Sequence, residues 1–343
     1  MKNLLKFVFL LTLCTVFMPL LTVGVTVNTA EEQPEATASP DVMVSENRLQ
    51  LPEAPSFDET TVITLCTEEG CREINLREYL IGVLAAEMPA GFPNEALKAQ
   101  AVAARTYTLY KRNLYQASEK PDVHQGADLC DDPAHCEAFV DLTVQAAELW
   151  GESAAVYFQR LQEAVDATDG TILVYEQKPI AAVFCAAAGE KTESAADIWG
   201  QPLPYLVSVD SPGGTDCSQY HGTVTMLQSD FVKTICEQWP EADFSGQPTA
   251  WFRDSHRTEA GSVIDVLVGG VRLSGSQVRQ VLGLNSANFK VKTEGEYLVF
   301  TTVGSGHGVG LSQYGARYFA MDGQTYDQIL YHYYPNTQLQ LQG

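Results

Sequence analysis

Two prolines set the strongest constraint on how this chain can fold. Pro89 and Pro93 separate two helix-forming stretches within EYLIGVLAAEMPAGFPNEALKAQAVAARTYTLYK, residues 78–111. Pro89 disfavours helical backbone at Met88, so a helix beginning at Leu76 has to end at about Glu87. Leu80, Ile81, Leu84 and Ala85 recur within it at helical spacing. Asn75, followed three residues later by Glu78, resembles a capping box. Pro93 suits the first turn of a second helix, which runs to about Tyr115 and is alanine-rich enough to pack closely.

That boundary leaves one carboxylate, Glu87, at a helix C-terminus among Ala85, Ala86 and Met88. The partial negative charge of a helix C-terminus disfavours a second negative charge, and apolar neighbours solvate it poorly. Both effects raise a carboxyl pKa, which a general acid working near neutral pH needs. From the residues alone, a surface glutamate that merely ends a helix remains the alternative. No second acid stands out in a comparable setting. Lys98 and Arg105 are seven residues apart and share a face of the second helix. They are candidates to hydrogen-bond oxygens of a ligand; the alternative is an exposed basic stripe.

Lys2 and Lys6 flank an apolar run at 7–27, long enough to span a bilayer as a helix. The lysines would keep residues 1–6 cytoplasmic, make 7–27 a single-pass anchor and leave the rest outside the cell membrane. A cleaved signal peptide ending near Thr29-Ala30 is the alternative. Residues 28–60, dominated by Glu, Pro, Ala, Ser and Thr, read as a flexible acidic linker, and residues 61–343 as one catalytic domain. The net charge of −22 argues against a nucleic-acid partner, which needs clustered Lys and Arg. Strand-like runs occur at 62–66, 71–74, 171–175, 180–184, 263–268 and 297–303, with 171–184 read as a hairpin. Helical patterns occur at 153–167, 276–282, 312–321 and 325–333. Their irregular order predicts an α+β domain of mixed helices and short antiparallel strands rather than a doubly wound sheet.

Of the eight cysteines, seven lie beyond the anchor. Disulfides are permitted outside the cytoplasm. The odd count leaves at least one thiol free or metal-bound. Cys66 and Cys71 would face each other across a hairpin at Thr67-Glu68-Glu69-Gly70, as a disulfide or as two packed thiols. Cys217 and Cys236 could pair. His124, Cys130, His135 and Cys136 all fall within HQGADLCDDPAHC. Two imidazoles and two thiolates make a full tetrahedral set for a structural zinc ion. The alternative is a Cys130–Cys136 disulfide with two exposed histidines. A catalytic zinc is disfavoured, because four protein ligands leave no open position.

A second block, GHGVGLSQYGA at 306–316, lies in a glycine-dense stretch around His307 where backbone can approach a ligand closely. With residues 78–111 it closely resembles the stage II sporulation protein D family of peptidoglycan lytic transglycosylases, over about residues 61–337. The resemblance implies that Glu87 matches the family's catalytic glutamate. It implies a route with one carboxylate: the glutamate protonates the leaving oxygen, then takes the proton of the C6 hydroxyl of N-acetylmuramic acid as a 1,6-anhydro ring closes. It also implies substrate contacts from Lys98, Arg105, His307, Gln313 and Tyr314. In FCAAAGEKTE, residues 184–193, Cys185 and three alanines replace the hydroxyl-rich family pattern, while Lys191 survives as a sugar contact. Cys185 itself reads as a buried core thiol rather than a nucleophile. The resemblance further implies action during engulfment in endospore formation, on glycan strands denuded of stem peptides. The partners it implies are the amidase stage II sporulation protein P and other engulfment membrane proteins. The rival reading is a non-catalytic glycan-binding module that activates a partner amidase, as related amidase-enhancer proteins do, and that would not require Glu87.

Overall fold

The computed structural model describes residues 55–343 apart from Ala134. The predicted cytoplasmic segment, membrane anchor and most of the linker lie outside the described residues. Among the described residues no helix is long and apolar enough to cross a membrane.

Residues 55–60 belong to the fold, not to a linker. Here α1 (Phe57–Thr60) is capped by the Ser56 side chain and buries Asp58. The predicted hairpin follows as β1 (Val62–Thr67) and β2 (Gly70–Asn75), with Cys66 opposite Cys71 and a disulfide between them. Next, α2 (Leu76–Glu87) starts at Asn75, whose side chain accepts from the Glu78 N–H, and stops where Met88 turns extended ahead of Pro89. Pro93 caps α3 (Asn94–Ala117) rather than entering its first turn. Then come β3 (Leu129–Cys130), parallel to β1, and the helices α4 (Leu142–Trp150) and α5 (Ala154–Asp166). No pattern foretold α4, because the helix buries none of its residues.

The hairpin expected over 171–184 is shorter than that. β4 (Thr171–Tyr175) pairs with β5 (Lys178–Pro179), while β6 (Phe184–Cys185) leaves to pair elsewhere. After α6 (Ala195–Trp199) the chain builds β7 (His221–Leu227), α7 (Gln228–Gln238), β8 (Phe252–Arg257), β9 (Val263–Val268), β10 (Val271–Ser274), α8 (Gly275–Leu282), β11 (Phe289–Glu294) and β12 (Tyr297–Val303). These strands form two antiparallel sheets, ordered β10-β9-β8 and β11-β12-β7. The chain then returns: β13 (Leu311–Ser312) pairs parallel with β6, and α9 (Gln313–Met321), α10 (Tyr326–Tyr333) and β14 (Gln338–Leu341) close it, β14 against β4. The class is α+β, as the irregular order of patterns predicts.

Among the described residues, two large hydrophobic cores and a small cluster of Ala187, Cys217 and Tyr220 result. The larger collects Leu80, Val83 and Leu84 of α2, Leu97 and Val102 of α3, Leu161 of α5, Leu173 of β4 and Tyr333 of α10. The smaller of the two large cores is built around Phe231, Trp251, Val278 and Phe300, inside the insertion between β6 and β13. Glu87 and the 306–316 block belong to the side of the first core.

One expected substrate contact is overturned at this level. Arg105 is wholly buried, with its guanidinium 2.5–3.0 Å from the Asp58 carboxylate and 3.1 Å from the Thr171 carbonyl. It ties α1 to α3 and β4 and has no surface to offer a sugar. The helix face it shares with Lys98 is real but turns into the core at Arg105. Among the free cysteines, Cys185 and Cys217 are buried, and Cys217 and Cys236 are unpaired.

Candidate active site and metal cluster

Glu87 ends α2 half-buried, and burial pushes its carboxyl above the ordinary glutamate range. Two groups pull the other way. The Ala138 N–H donates to Oε1 at 2.9 Å, and the Gln313 side chain faces the carboxyl from the first turn of α9. The Gln313 amide nitrogen nevertheless has no partner at full hydrogen-bonding distance, although the residue is only 3% exposed. Its contact with Glu87 is therefore loose, and it keeps donor capacity to spare.

Gln313 belongs to the second sequence block, so the fold brings the two blocks together at Glu87. The next residue, Tyr314, packs edge-on against Phe92 with ring centroids 5.1 Å apart, on the turn that follows Glu87. Arg317 lies over the other part of that contact, 5.6 Å from the Phe92 ring, and pairs with Asp216. The glycine loop is held by β13 against β6 and by Ser312, whose hydroxyl caps α9. Gly310 has positive φ, and a Cβ there would run into the Val183 carbonyl, so the close approach requires glycine.

His307 sits in that loop with its Nδ1 accepting from the Val309 N–H at 3.0 Å. Burial, helped by the nearby Arg279 charge, lowers its pKa to about 4, so it is a neutral ring near pH 7. Its ring lies 5.5 Å from that of the exposed Trp199. Lys98 is bound to Glu95 at 2.7 Å, and Glu95 also takes the Tyr326 N–H, so this lysine serves the α3–α10 junction. Lys191 is exposed and bridges to Glu259 at 2.7 Å. No contact brings either lysine to Glu87.

A carboxyl that sequence reasoning missed lies behind Glu87. Glu137 is 2% exposed, and its Oε2 accepts from Tyr79 at 3.3 Å and Thr108 at 3.0 Å. Burial raises its pKa well above the ordinary range, with the Glu87 charge adding to the effect. The signal available in the sequence was its position directly after Cys136; its burial comes from packing alone.

His124, Cys130, His135 and Cys136 converge as expected, their ligand atoms all within 4.8 Å of one another. His124 Nε2 is 3.1 Å from His135 Nδ1 and 3.2 Å from the Cys136 sulfur. His135 Nδ1 is 3.6 Å from the Cys130 sulfur and 3.5 Å from that of Cys136. Both cysteines are free thiols, so the disulfide alternative is not what this fold builds. Burial lowers both imidazoles, which keeps them neutral and able to ligate, and raises the Cys136 thiol to about 12. A thiolate there needs a positive counter-charge, and a cation among these four atoms would supply it. The donor set and its spacing fit a metal ion.

Comparison with known proteins places the chain among sporulation proteins. The family model described as Stage II sporulation protein matches residues 67–175, which include Glu87 and all four cluster residues. Stage II sporulation protein D of Bacillus subtilis (strain 168) is 36% identical over 271 residues, covering 79% of this chain and 76% of the relative. The protein of the same name from Bacillus amyloliquefaciens is 38% identical over 268 residues, covering 78% of this chain and 75% of its own. The Amidase enhancer of Bacillus subtilis (strain 168) is 26% identical over 312 residues, 76% of this chain but 40% of that protein. With identity of this degree across three quarters or more of this chain and of each sporulation protein, the chain belongs to the stage II sporulation protein D family.

Proposed function

We propose that the protein is a lytic transglycosylase that cleaves peptidoglycan glycan strands with Glu87 as its single acid and base. The observation that carries this reading is the setting of Glu87: a half-buried carboxyl of raised pKa, with the spare donor of Gln313 beside it. In the protonated form Glu87 gives its proton to the glycosidic oxygen as the bond from that oxygen to C1 of N-acetylmuramic acid breaks. The carboxylate left behind takes the proton of the C6 hydroxyl, and O6 closes onto C1 as the 1,6-anhydro ring. No water is consumed and Glu87 ends protonated again, so no partner carboxylate is required. The buried Glu137 has no path to the substrate in this scheme. Gln313 binds a substrate oxygen, with Tyr314 and His307 placed along the same loop as further contacts.

In this reading the cluster holds zinc in a structural role. Tetrahedral Zn–N distances of about 2.0–2.1 Å and Zn–S of about 2.3 Å put neighbouring ligand atoms about 3.3–3.8 Å apart. Four contacts of 3.1–3.6 Å are close to that, and all four ligand atoms lie within 4.8 Å of one another. When bound, the ion supplies charge to hold the thiolates and closes the 124–136 loop. The protein works in sporulation at the cell membrane, anchored by residues 7–27, on denuded strands alongside a partner amidase and other engulfment proteins. The test is digestion of denuded glycan strands by the purified protein, with mass analysis of the product ends. Ends of 1,6-anhydro-N-acetylmuramic acid are expected; free reducing ends would mean that water, not the C6 hydroxyl, is the nucleophile. One observation favours a second reading. A relative bears the name Amidase enhancer, so glycan binding that activates an amidase remains the rival, and amidase stimulation undiminished by loss of Glu87 would favour it.

A further inference from the structure

The route from the metal cluster to Glu87 is only two residues long. Cys136 is a cluster ligand, and Ala138 donates its N–H to Glu87. Between them, Glu137 is driven into the core and held by Tyr79 and Thr108. Beyond them, Phe139 stacks on Tyr79 at 5.7 Å, and the Val140 N–H reaches the Gly82 carbonyl at 3.4 Å. Tyr79, Gly82 and Glu87 are all on α2. The segment therefore lies along that helix, touching it at several points. Gly82 is what lets it lie so close: a Cβ there would enter the edge of the Phe139 ring and come within 2.7 Å of the Val140 carbonyl oxygen. The backbone of Gly82 is ordinary helix, so its lack of a side chain serves the contact and not the conformation.

We propose that residues 136–140 form a positioning strap, seated on Gly82 and pinned by Glu137, which holds the Ala138 N–H on the Glu87 carboxyl and so couples the acid to the metal cluster. The inference rests on Glu87 being the acid. Gly82 and Glu137 are positioning residues; neither touches substrate. The Ala138 donor favours the ionised carboxylate, against burial. Displacing the Ala138 N–H removes that donor, while burial of the carboxyl and the Gln313 side chain remain. Glu87 then holds its proton to higher pH. Because the first step needs protonated Glu87, the alkaline limb of kcat/KM moves to higher pH.

The test is Gly82→Ala in the complete folded protein, with Phe139→Leu as a second variant that removes the ring stack without adding a clash. Three measurements are made: metal per chain by elemental analysis, the Glu87 carboxyl titration by carbon-13 NMR with its resonance identified by its loss in Glu87→Gln, and the pH profile of glycan cleavage. The expected result is unchanged metal content, a titration midpoint shifted upward, an alkaline limb shifted the same way, and a fall in kcat of up to about 10²-fold from misplacement of the acid. Wild-type protein stripped of metal by a chelator should show the same upward shift by NMR. If Gly82→Ala does not fold, Phe139→Leu decides alone. Titration and pH profile coinciding with wild type in the folded variants would overturn the strap. A Glu87 titration untouched by chelation would overturn its coupling to the cluster. Wild-type cleavage by Glu87→Gln would instead remove Glu87 from the chemistry, a failure of the broader reading that the NMR shift reports on separately.

Discussion

Glu87 and Arg105 are both charged residues in helices of the same core, and their surroundings give them opposite fates. Glu87 keeps an edge toward solvent, and its carboxyl is raised by burial. A raised folded-state pKa means that its ionised form works against folding. Its favourable contribution is complete below the unfolded-state pKa and is lost as pH rises through the folded one. Glu87→Gln should therefore abolish cleavage yet melt no lower than wild type near pH 7, since glutamine keeps the shape and an acceptor for the Ala138 N–H. Calorimetry with the glycan digest checks both halves, and a variant that still cleaves would refute the assignment. Arg105 is locked to Asp58 with no exposure at all. Removing one partner of a buried pair leaves the other charge uncompensated, at a cost of about 3–5 kcal/mol. Arg105→Ala should lower the unfolding free energy by that order, read from denaturant titration. A fully stable variant with weakened glycan binding would restore the surface role.

At the scale of elements, the loop from the end of α3 to the start of α4 carries the most consequence for its length. It has little regular structure of its own: one short 3₁₀ turn and the two-residue β3. It carries the four cluster residues and the segment that reaches Glu87. Metal binding and folding should be linked there. About one zinc ion per chain is expected by elemental analysis, and chelation or Cys130→Ser should lower the melting temperature. A metal-free protein that melts with wild-type stability would refute a structural ion. The helix α4, which follows the strap, buries none of its residues, so exposed substitutions such as Val144→Ala should leave stability within about 0.5 kcal/mol of wild type.

Across the molecule, the two large hydrophobic cores divide the work. The first positions Glu87, the cluster and the glycine loop, while the second fills the insertion between β6 and β13. Phe231, wholly buried among Trp251, Phe252 and Phe300, is the centre of the second. Phe231→Ala should cost about 3–5 kcal/mol and speed hydrogen exchange in β7, β11 and β12 more than in α3. Metal content should not change. Exchange accelerated equally in α3 would show that the two cores unfold as one.

What the sequence determined by itself is local. The end of α2 at Glu87 follows from Pro89, because a proline restricts the residue before it whatever the rest of the chain does. The hairpin carrying Cys66 and Cys71 and the quartet of His124, Cys130, His135 and Cys136 were legible for a similar reason: their members are close in the chain, so a turn or a short loop brings them together. The family resemblance added which distant block belongs with Glu87. Tertiary structure decided the rest. Arg105 looked like a surface cation because Asp58 is far from it in the chain and lay in a stretch composed like a linker. Glu137 looked like any acid in a polar loop until α2 and α3 closed over it. The loose contact of Gln313 with Glu87, and the Ala138 N–H on the same carboxyl, exist only once α9 and the strap are packed against α2. Burial, desolvation and long-range hydrogen bonds are properties of the packed chain, and they set the protonation of Glu87.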